Sequence, residues 1–204
     1  ILVIILSLLC FFEFYNLLDK AYNNKVIKLN LNILIALYLY FLYFLLIRIR
    51  LEHGEEIVLI FFVTCFCSDI GGYVFGKLVG GPKLTKISPN KTISGSIGSI
   101  IFTIIGSSLF ALFFLKTDKY LVSFENYFTI FIWLIMMSVF CQIGDLLVSY
   151  LKRKAKVKDT GNILPGHGGI LDRVDGIIFA IPFGFFTYHI LISGYSLWKK
   201  RLLF

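Results

Sequence analysis

The sequence has few charged residues for its length. Only 16% of its 204 residues are Asp, Glu, Lys or Arg, whereas 58% are hydrophobic. Soluble domains average about 25% charged and about 45–50% apolar residues, so a water-soluble globule of this size is excluded. Several apolar stretches reach the length of about 20 residues that a helix needs to cross a bilayer. The composition therefore indicates an integral membrane protein.

The chain also lacks the pattern of a membrane barrel, because apolar runs such as residues 33–47 do not alternate with polar residues. We find no internal repeat, no low-complexity tract and no soluble domain. Residues 1–204 are therefore interpreted as a single integral membrane domain. The expected fold is all-α, a polytopic transmembrane helical bundle of about six spans, near residues 1–18, 29–47, 56–76, 93–115, 127–150 and 176–197.

Cysteine is scarce and gives little guidance. The four cysteines all lie inside apolar runs, where they are interpreted as small hydrophobic residues. A basic leader is absent as well, since the chain opens at Ile1 within an apolar run, and a cleavable signal peptide is a poor interpretation. We expect further N-terminal helices ahead of this first run.

The basic residues are concentrated in alternate connectors. The first, third and fifth connectors hold 13 of the 20 Lys and Arg residues. Because cytoplasmic loops are enriched in Lys and Arg, we predict that these connectors, including loops 77–92 and 151–175, face the cytoplasm. The net charge of +8 lies in loops beside a membrane, so lipid head groups and phosphates are expected partners and nucleic acid is not.

The fifth connector has the composition of an anion and metal site. Residues 149–175, SYLKRKAKVKDTGNILPGHGGILDRVD, hold three carboxylates and six Lys or Arg residues. Asp172 and Asp175 are three residues apart and would share one helical face, and Asp145 shares a face of the fifth span with Ser149 and Lys152. Oxygen ligands of this kind suit Mg²⁺. The alternatives are a carboxylate paired with a loop lysine and an ordinary acidic helix N-terminus.

Glycines surround the one histidine of this connector. His167 precedes Gly168 and Gly169, an arrangement in which backbone N–H groups and an imidazole could approach a phosphate closely. The alternative is a flexible turn whose histidine has no role.

A second polar group occupies the third connector and the span before it. The connector combines four lysines, two prolines and several glycines, which predicts a shaped basic loop. On the preceding span a carboxylate shares one face with small residues that allow close helix approach. This face is Asp69, Gly72, Tyr73 and Gly76. The alternative is a packing seam that includes a lone acid.

These residues resemble the diagnostic motif of the phosphatidate cytidylyltransferases. The match includes every fixed position of that motif and is supported by residues 88–92 with Gly95 and by the step at residues 144–146. It covers about residues 60–185, with departures at Ser94, Val148 and Ser99. The matching positions are Ser149, Lys152, Arg153, Lys158, Asp159, Gly161, Leu164, Pro165, His167, Gly168, Gly169, Asp172, Arg173 and Asp175.

The resemblance implies transfer of a cytidylyl group from CTP to phosphatidate, with CDP-diacylglycerol and pyrophosphate as products. It implies Mg²⁺, with or without a second cation, on Asp145 and Asp172, in a catalytic group completed by Asp175 and Lys152. The implied partners are CTP, phosphatidate and membrane lipids, and a homodimer is compatible with them. The implied location is a bacterial inner membrane with the site facing the cytoplasm. The remaining expected substrate-binding residues are Asp69, Ser88, Lys91, Thr92, Ser149, Arg153, Lys158, His167, Gly168, Gly169 and Arg173.

Two other functions agree with parts of the sequence. Another CTP-dependent lipid or polyprenol phosphotransferase would share a basic, metal-bearing face. An ion transporter could use intramembrane Asp69 and Asp145 as an ion path. A transporter has no need, however, of the glycine–histidine turn or of the clustered cations.

Overall fold

The computed structural model describes residues 2–114, 124–166 and 168–189. Within these ranges there are two isolated β-bridges and no strand. The predicted all-α architecture is therefore confirmed. Its helices are α1 (Leu2–Ala21), α2 (Lys25–His53), α3 (Glu55–Leu78), α4 (Ile93–Phe114), α5 (Phe124–Lys154) and α6 (Leu171–Tyr188).

Helices α1 to α5 are each long and apolar enough to cross a membrane. They contain the first five predicted spans almost entirely, which confirms a polytopic membrane bundle. The sixth predicted span, 176–197, begins within α6, and its last residues lie outside the described part of the chain. Helix α2 extends beyond its predicted limits at both ends. Asn24 caps its first turn by accepting hydrogen bonds from Val26 N at 2.9 Å and Ile27 N at 3.4 Å.

Helices α3 and α4 pack at very close range through glycines. A Cβ atom on Gly98 would collide with the side chain of Phe75, and one on Gly72 would lie 2.6 Å from Ser99 Oγ. The close approach predicted for Gly72 and Gly76 is therefore observed. Tyr73 does not share it, since its side chain is 69% exposed. Gly71 and Gly72 both face α4. Tyr73 is about 200° around the helix from Gly71 and therefore points away from α4.

Helix α6 lies against α5 and is also contacted by α1, α2 and α3. Its backbone carbonyls accept hydrogen bonds from Tyr38 OH, at Ile178 O (3.0 Å), and from Trp133 Nε1, at Gly184 O (2.9 Å). All four cysteines are free, and Cys67 is the one that is not fully buried. The interhelical hydrogen bonds hold α6 in the bundle, with its N-terminus at the end where the basic loops meet.

Candidate active site

The fifth connector turns back on the bundle directly after α5. The N–H of Lys156 donates to Arg153 O at 3.1 Å and that of Val157 donates to Lys152 O at 3.0 Å. These two bonds form a Schellman motif, in which the residue after the cap adopts a left-handed conformation. Here that residue is Lys156, with φ of 56°. The reversal directs residues 157–166 and 168–170 across the end of the bundle toward α6.

Asp172, in the first turn of α6, has four hydrogen-bond donors within 3.0 Å. Lys152 Nζ donates to its Oδ1 at 2.7 Å, and its Oδ2 accepts from Thr160 N at 2.9 Å and Gly169 N at 3.0 Å. Thr160 Oγ1 also lies 3.0 Å from Oδ2, and its one hydrogen is donated either to Asp172 or to Glu13 of α1. Burial opposes ionisation, but the Lys152 ammonium and the amides of Thr160 and Gly169 outweigh it and lower the pKa of Asp172. Asp172 is therefore an ionised anchor that ties the connector to α5 and α6.

The buried side chain of Glu13, in α1, contacts this connector from inside the bundle. Its carboxylate is 1% exposed and accepts hydrogen bonds from Thr160 Oγ1 at 2.7 Å, Ile170 N at 2.9 Å and Leu171 N at 2.8 Å. Helix α6 has no side-chain cap of its own. Glu13 supplies that cap from another helix, where the positive end of the α6 dipole favours a negative charge.

Glu13 was not predicted from the sequence as a functional residue. Its signal was an acid inside an otherwise apolar run, the same signal that drew attention to Asp69 and Asp145. An ionisable residue at such a position needs a partner, because a charge in the membrane is costly. The partners of Glu13 are more than 140 positions away in the sequence, so the pairing itself could not be read from local spacing.

Two glycines of the connector fit their positions for different reasons. Gly168 has φ of 84°, a left-handed conformation that side chains rarely adopt. Gly169 has no room for a side chain, because an added Cβ would collide with Thr160 Oγ1 and Glu13 Oε2. The predicted glycine turn is therefore a close-packed support for the N-terminus of α6. His167 lies outside the described residues.

The third connector contacts α5 through an ion pair between Lys91 Nζ and Asp145 Oδ2. Asp145 Oδ1 also accepts a hydrogen bond from Ser149 Oγ at 3.2 Å, as their spacing on one face predicts. Two backbone hydrogen bonds shape the connector, from Leu84 N to Lys91 O at 2.8 Å and from Ile93 N to Pro82 O at 3.0 Å. The ion pair joins loop 77–92 to the helix that leads into loop 151–175.

Two further predicted residues of the third connector have local roles in its shape. Thr92 Oγ1 accepts a hydrogen bond from Gly95 N at 3.0 Å and so caps the start of α4. The carbonyl of Ser88 accepts from Lys91 N at 3.1 Å. Both residues therefore help to position Lys91 in front of α5.

Three aspartates from three helices are neighbours at this end of the bundle. Asp145 repels both Asp69 of α3 and Asp175 of α6 electrostatically. Helices α5 and α6 come close here because Gly144 has no side chain, and a Cβ on it would lie 2.7 Å from Asp175 O. Asp175 is buried, while Asp69 is exposed. Asp69, Asp145 and Asp175 thus lie near one another although they belong to separate helices.

An open groove of about 650 Å³ lies at the same end of the bundle, between loop 77–92 and the end of α5. It has both cationic and apolar walls, which are provided by Lys86, Ile87, Pro89, Tyr150, Arg153 and Lys154. Of the remaining predicted residues, Arg153 in the last turn of α5, Lys158 in the connector and Arg173 in the first turn of α6 are exposed. A surface of this kind can bind a phosphate and an apolar group at the same time.

The donor set is suitable for a hard divalent cation. Mg²⁺ takes one or two carboxylates and completes its shell with water and substrate phosphates. Asp145 and Asp172, the predicted ligands, each hold one lysine ammonium, which shows that both attract positive charge. Among the described residues, the group whose three donor atoms lie within 4.8 Å of one another is a different one, at the opposite end of the bundle. The aspartates therefore suit a metal that is shared with substrate oxygens better than an all-protein cage.

The protein is thus a polytopic membrane protein whose carboxylates and cations meet at one end of its helices. Residues 1–191 match the model of the cytidylyltransferase family. The chain belongs to that family.

Curated relatives carry a more specific name. The chain is 37% identical over 154 residues to a protein of Helicobacter pylori strain J99, covering 75% of this chain and 53% of the relative. It is 43% identical over 130 residues to one of Staphylococcus haemolyticus (63% and 47%) and 41% identical over 136 residues to one of Bacillus subtilis (66% and 48%). Each is named phosphatidate cytidylyltransferase. The chain spans about half the length of these curated relatives.

Proposed function

We propose that this chain is part of a phosphatidate cytidylyltransferase and that its residues 60–185 form the catalytic region. The observation that carries the proposal is the Lys91–Asp145 ion pair, because it joins one basic loop to the helix that leads into the other. Three aspartates, two lysines and an amphipathic groove therefore lie within one small region. The names of the relatives indicate the substrates, which are CTP and phosphatidate.

In the proposed reaction, a phosphate oxygen of phosphatidate attacks the α-phosphorus of CTP. A new P–O bond forms, the bond from the α-phosphorus to the oxygen that bridges it to the β-phosphate breaks, and pyrophosphate leaves with that oxygen. The attacking oxygen is already anionic, so no general base is needed. The protein must instead align two polyanions and neutralise their charge.

Basic residues at this end of the bundle could perform that task. Lys91 and Lys152 would move from their carboxylate partners toward phosphate oxygens, and Arg153 at the groove wall suits a two-point contact with phosphate. Lys158, Arg173 and His167 would extend the phosphate-binding surface along the connector. Asp172 also has a structural duty, since its Oδ2 organises Thr160 and Gly169.

Mg²⁺ is the expected metal, with Asp145 and Asp172 as its ligands and Asp175 and Asp69 as additional acids. When bound, the metal would supply positive charge to the phosphates of CTP. The protein's own part is to hold carboxylates from α3, α5 and α6 at one level, where mutual repulsion favours a bound cation. The same repulsion would favour a second cation.

The membrane setting determines how the two substrates would arrive. The groove has the apolar surface of Ile87 and Tyr150 beside its cations, which suits a lipid whose phosphate enters from the bilayer surface. CTP would come from water. We place this end of the bundle at the cytoplasmic face of a bacterial inner membrane because both basic loops lie there. A homodimer is compatible with this arrangement.

Incorporation of labelled CTP into lipid tests the proposal. Membranes containing the full-length protein should form CDP-diacylglycerol from phosphatidate when Mg²⁺ is present and lose that activity when it is chelated. Asp145→Asn and Asp172→Asn should reduce the rate by about 100-fold or more, as expected for loss of preorganised charge at a reacting centre. Glu55→Gln is the matched control, since Glu55 is an exposed acid at the opposite end of the bundle. Full turnover in both aspartate variants would refute the assignment.

A further inference from the structure

The end of the bundle opposite the candidate active site holds a second cluster of chemically active side chains. Glu52 and His53 end α2, and His189 directly follows the last residue of α6. One donor atom from each lies within 4.8 Å of the other two. We propose that Glu52, His53 and His189 bind a transition-metal ion of the Zn²⁺ class and thereby join α2 to α6. This inference does not rest on the proposed function.

The distances are near those of a metal site. Glu52 Oε2 lies 3.9 Å from His53 Nε2 and 3.8 Å from His189 Nε2. Bond lengths of about 2.0–2.2 Å in a tetrahedral zinc site place neighbouring ligand atoms about 3.3 Å apart. Each of these two pairs would therefore close by about half an ångström, a movement within the reach of side-chain rotation, and the two histidine donor atoms already lie within 4.8 Å of each other. At their present separations neither pair is a hydrogen bond.

The surroundings already orient the ligands. Arg48 forms an ion pair with Glu52 Oε1, which leaves Oε2 for the histidines. The ring of His189 packs edge-on against Phe185, with centroids 4.4 Å apart, and that of His53 packs against Tyr188 at 5.0 Å. Outer contacts of this kind fix the direction of a metal ligand.

One ligand atom lacks the partner that its burial requires. His189 Nε2 is buried and makes no hydrogen bond among the described residues. A buried polar atom left in this state costs about 1–3 kcal/mol. A bound metal would remove that cost, because a neutral imidazole nitrogen is a metal ligand.

The donor atoms of this cluster suit a different class of metal from the one that suits the aspartates. Two imidazoles and one carboxylate suit Zn²⁺, Cu²⁺, Ni²⁺ or Co²⁺, whereas Mg²⁺ prefers oxygen. Three protein ligands leave a fourth position for water, and the partial exposure of all three side chains gives solvent access. His189 lies about 25 Å from Asp172, which is the rise of 17 helical steps along α6. A bound metal would hold the C-terminal end of α6, the helix that carries Asp172 and Asp175, against α2.

The experiment uses the full-length protein, purified with a histidine-free tag and placed in lipid nanodiscs with excess Mg²⁺. Zn²⁺ should bind and raise the thermal unfolding temperature, and Cu²⁺ used as a probe should show imidazole nitrogen coupling in its electron paramagnetic resonance spectrum. The double variant His53→Gln/His189→Gln should lose both effects, and Glu52→Gln should weaken them. Matched controls are His167→Gln and Glu55→Gln, which should keep them.

Two results would overturn the proposal. One is a wild-type Cu²⁺ spectrum without nitrogen coupling, which needs no variant and so is independent of any folding defect. The other is a double variant that unfolds at the metal-free wild-type temperature and still binds Zn²⁺ as tightly as the wild type. Loss of Zn²⁺ binding with an unchanged metal-free unfolding temperature would support it.

Discussion

At the scale of single residues, the buried carboxylate of Glu13 links the first helix to the last. It is the acceptor for two N-terminal amides of α6 and for the Thr160 hydroxyl. The same hydroxyl also lies 3.0 Å from Asp172 Oδ2. Since it has one hydrogen, it donates to one carboxylate at a time. Glu13 is thus connected to Asp172 through a single shared group.

We predict that Glu13→Gln destabilises the protein and lowers its cytidylyltransferase activity. The substitution keeps the size of the side chain but removes the charge and places an NH₂ group against amide donors. The expected cost is about 2 kcal/mol, the usual size for hydrogen bonds to a charged group. Thermal unfolding of the purified protein measures it. Asp19→Asn is the control, because Asp19 is an exposed acid of the same helix, and equal effects of the two substitutions would contradict the role assigned to Glu13.

At the scale of elements, the contact between α3 and α4 depends on glycine. Ala is the better helix former by about 1 kcal/mol, so Gly98→Ala would stabilise α4 if the seam had room. The structure has none, since the new Cβ would meet Cβ of Phe75. We therefore predict a net destabilisation of about 1–3 kcal/mol, the cost of overpacking. Unfolding measurements beside Ser108→Ala, on an exposed position of α4, provide the comparison. An increase in stability for Gly98→Ala would show that α3 and α4 pack less closely at Gly98 than the structure indicates.

A substitution just after α5 is expected to stabilise the protein. Lys156 has φ of 56° in the Schellman motif, where a side chain costs about 1–2 kcal/mol and glycine does not. Lys156→Gly should raise the unfolding temperature. Lys154→Gly, two residues earlier and still helical, should lower it, because glycine in a helix costs about 1 kcal/mol. A decrease for both variants would contradict the left-handed turn.

The elements were predictable because their signal is local. Apolar runs of membrane length predicted the helices, and the spacing of Asp145 and Ser149 predicted their hydrogen bond. The helix ends were less predictable, since a helix continues past the apolar run wherever capping and basic side chains stabilise its turns, as at Asn24. The links of Glu13 to α6 and of Lys91 to Asp145 were not predictable, because each joins residues far apart in the sequence.

At the scale of the whole molecule, the bundle has two chemically different ends. Loops 77–92 and 151–175 meet at the end that holds Asp145 and Asp172, while α2 and α3 are joined at the other end near Glu55. Single cysteines introduced at Lys83 and Asn162, in a background without the native cysteines, should react with a membrane-impermeant reagent from the cytoplasmic side. A cysteine at Glu55 should react from the opposite side. Labelling of Lys83 and Asn162 positions from different sides would contradict the topology.

We propose that acids from separate helices hold one divalent cation against the phosphates of a nucleotide. Mn²⁺ can replace Mg²⁺ as a paramagnetic probe in the full-length protein with CTP bound. Pulsed electron paramagnetic resonance should then show coupling between Mn²⁺ and phosphorus that is lost in Asp145→Asn and Asp172→Asn and kept in Glu55→Gln. Phosphorus coupling of unchanged strength in both aspartate variants would show that Asp145 and Asp172 do not hold the metal.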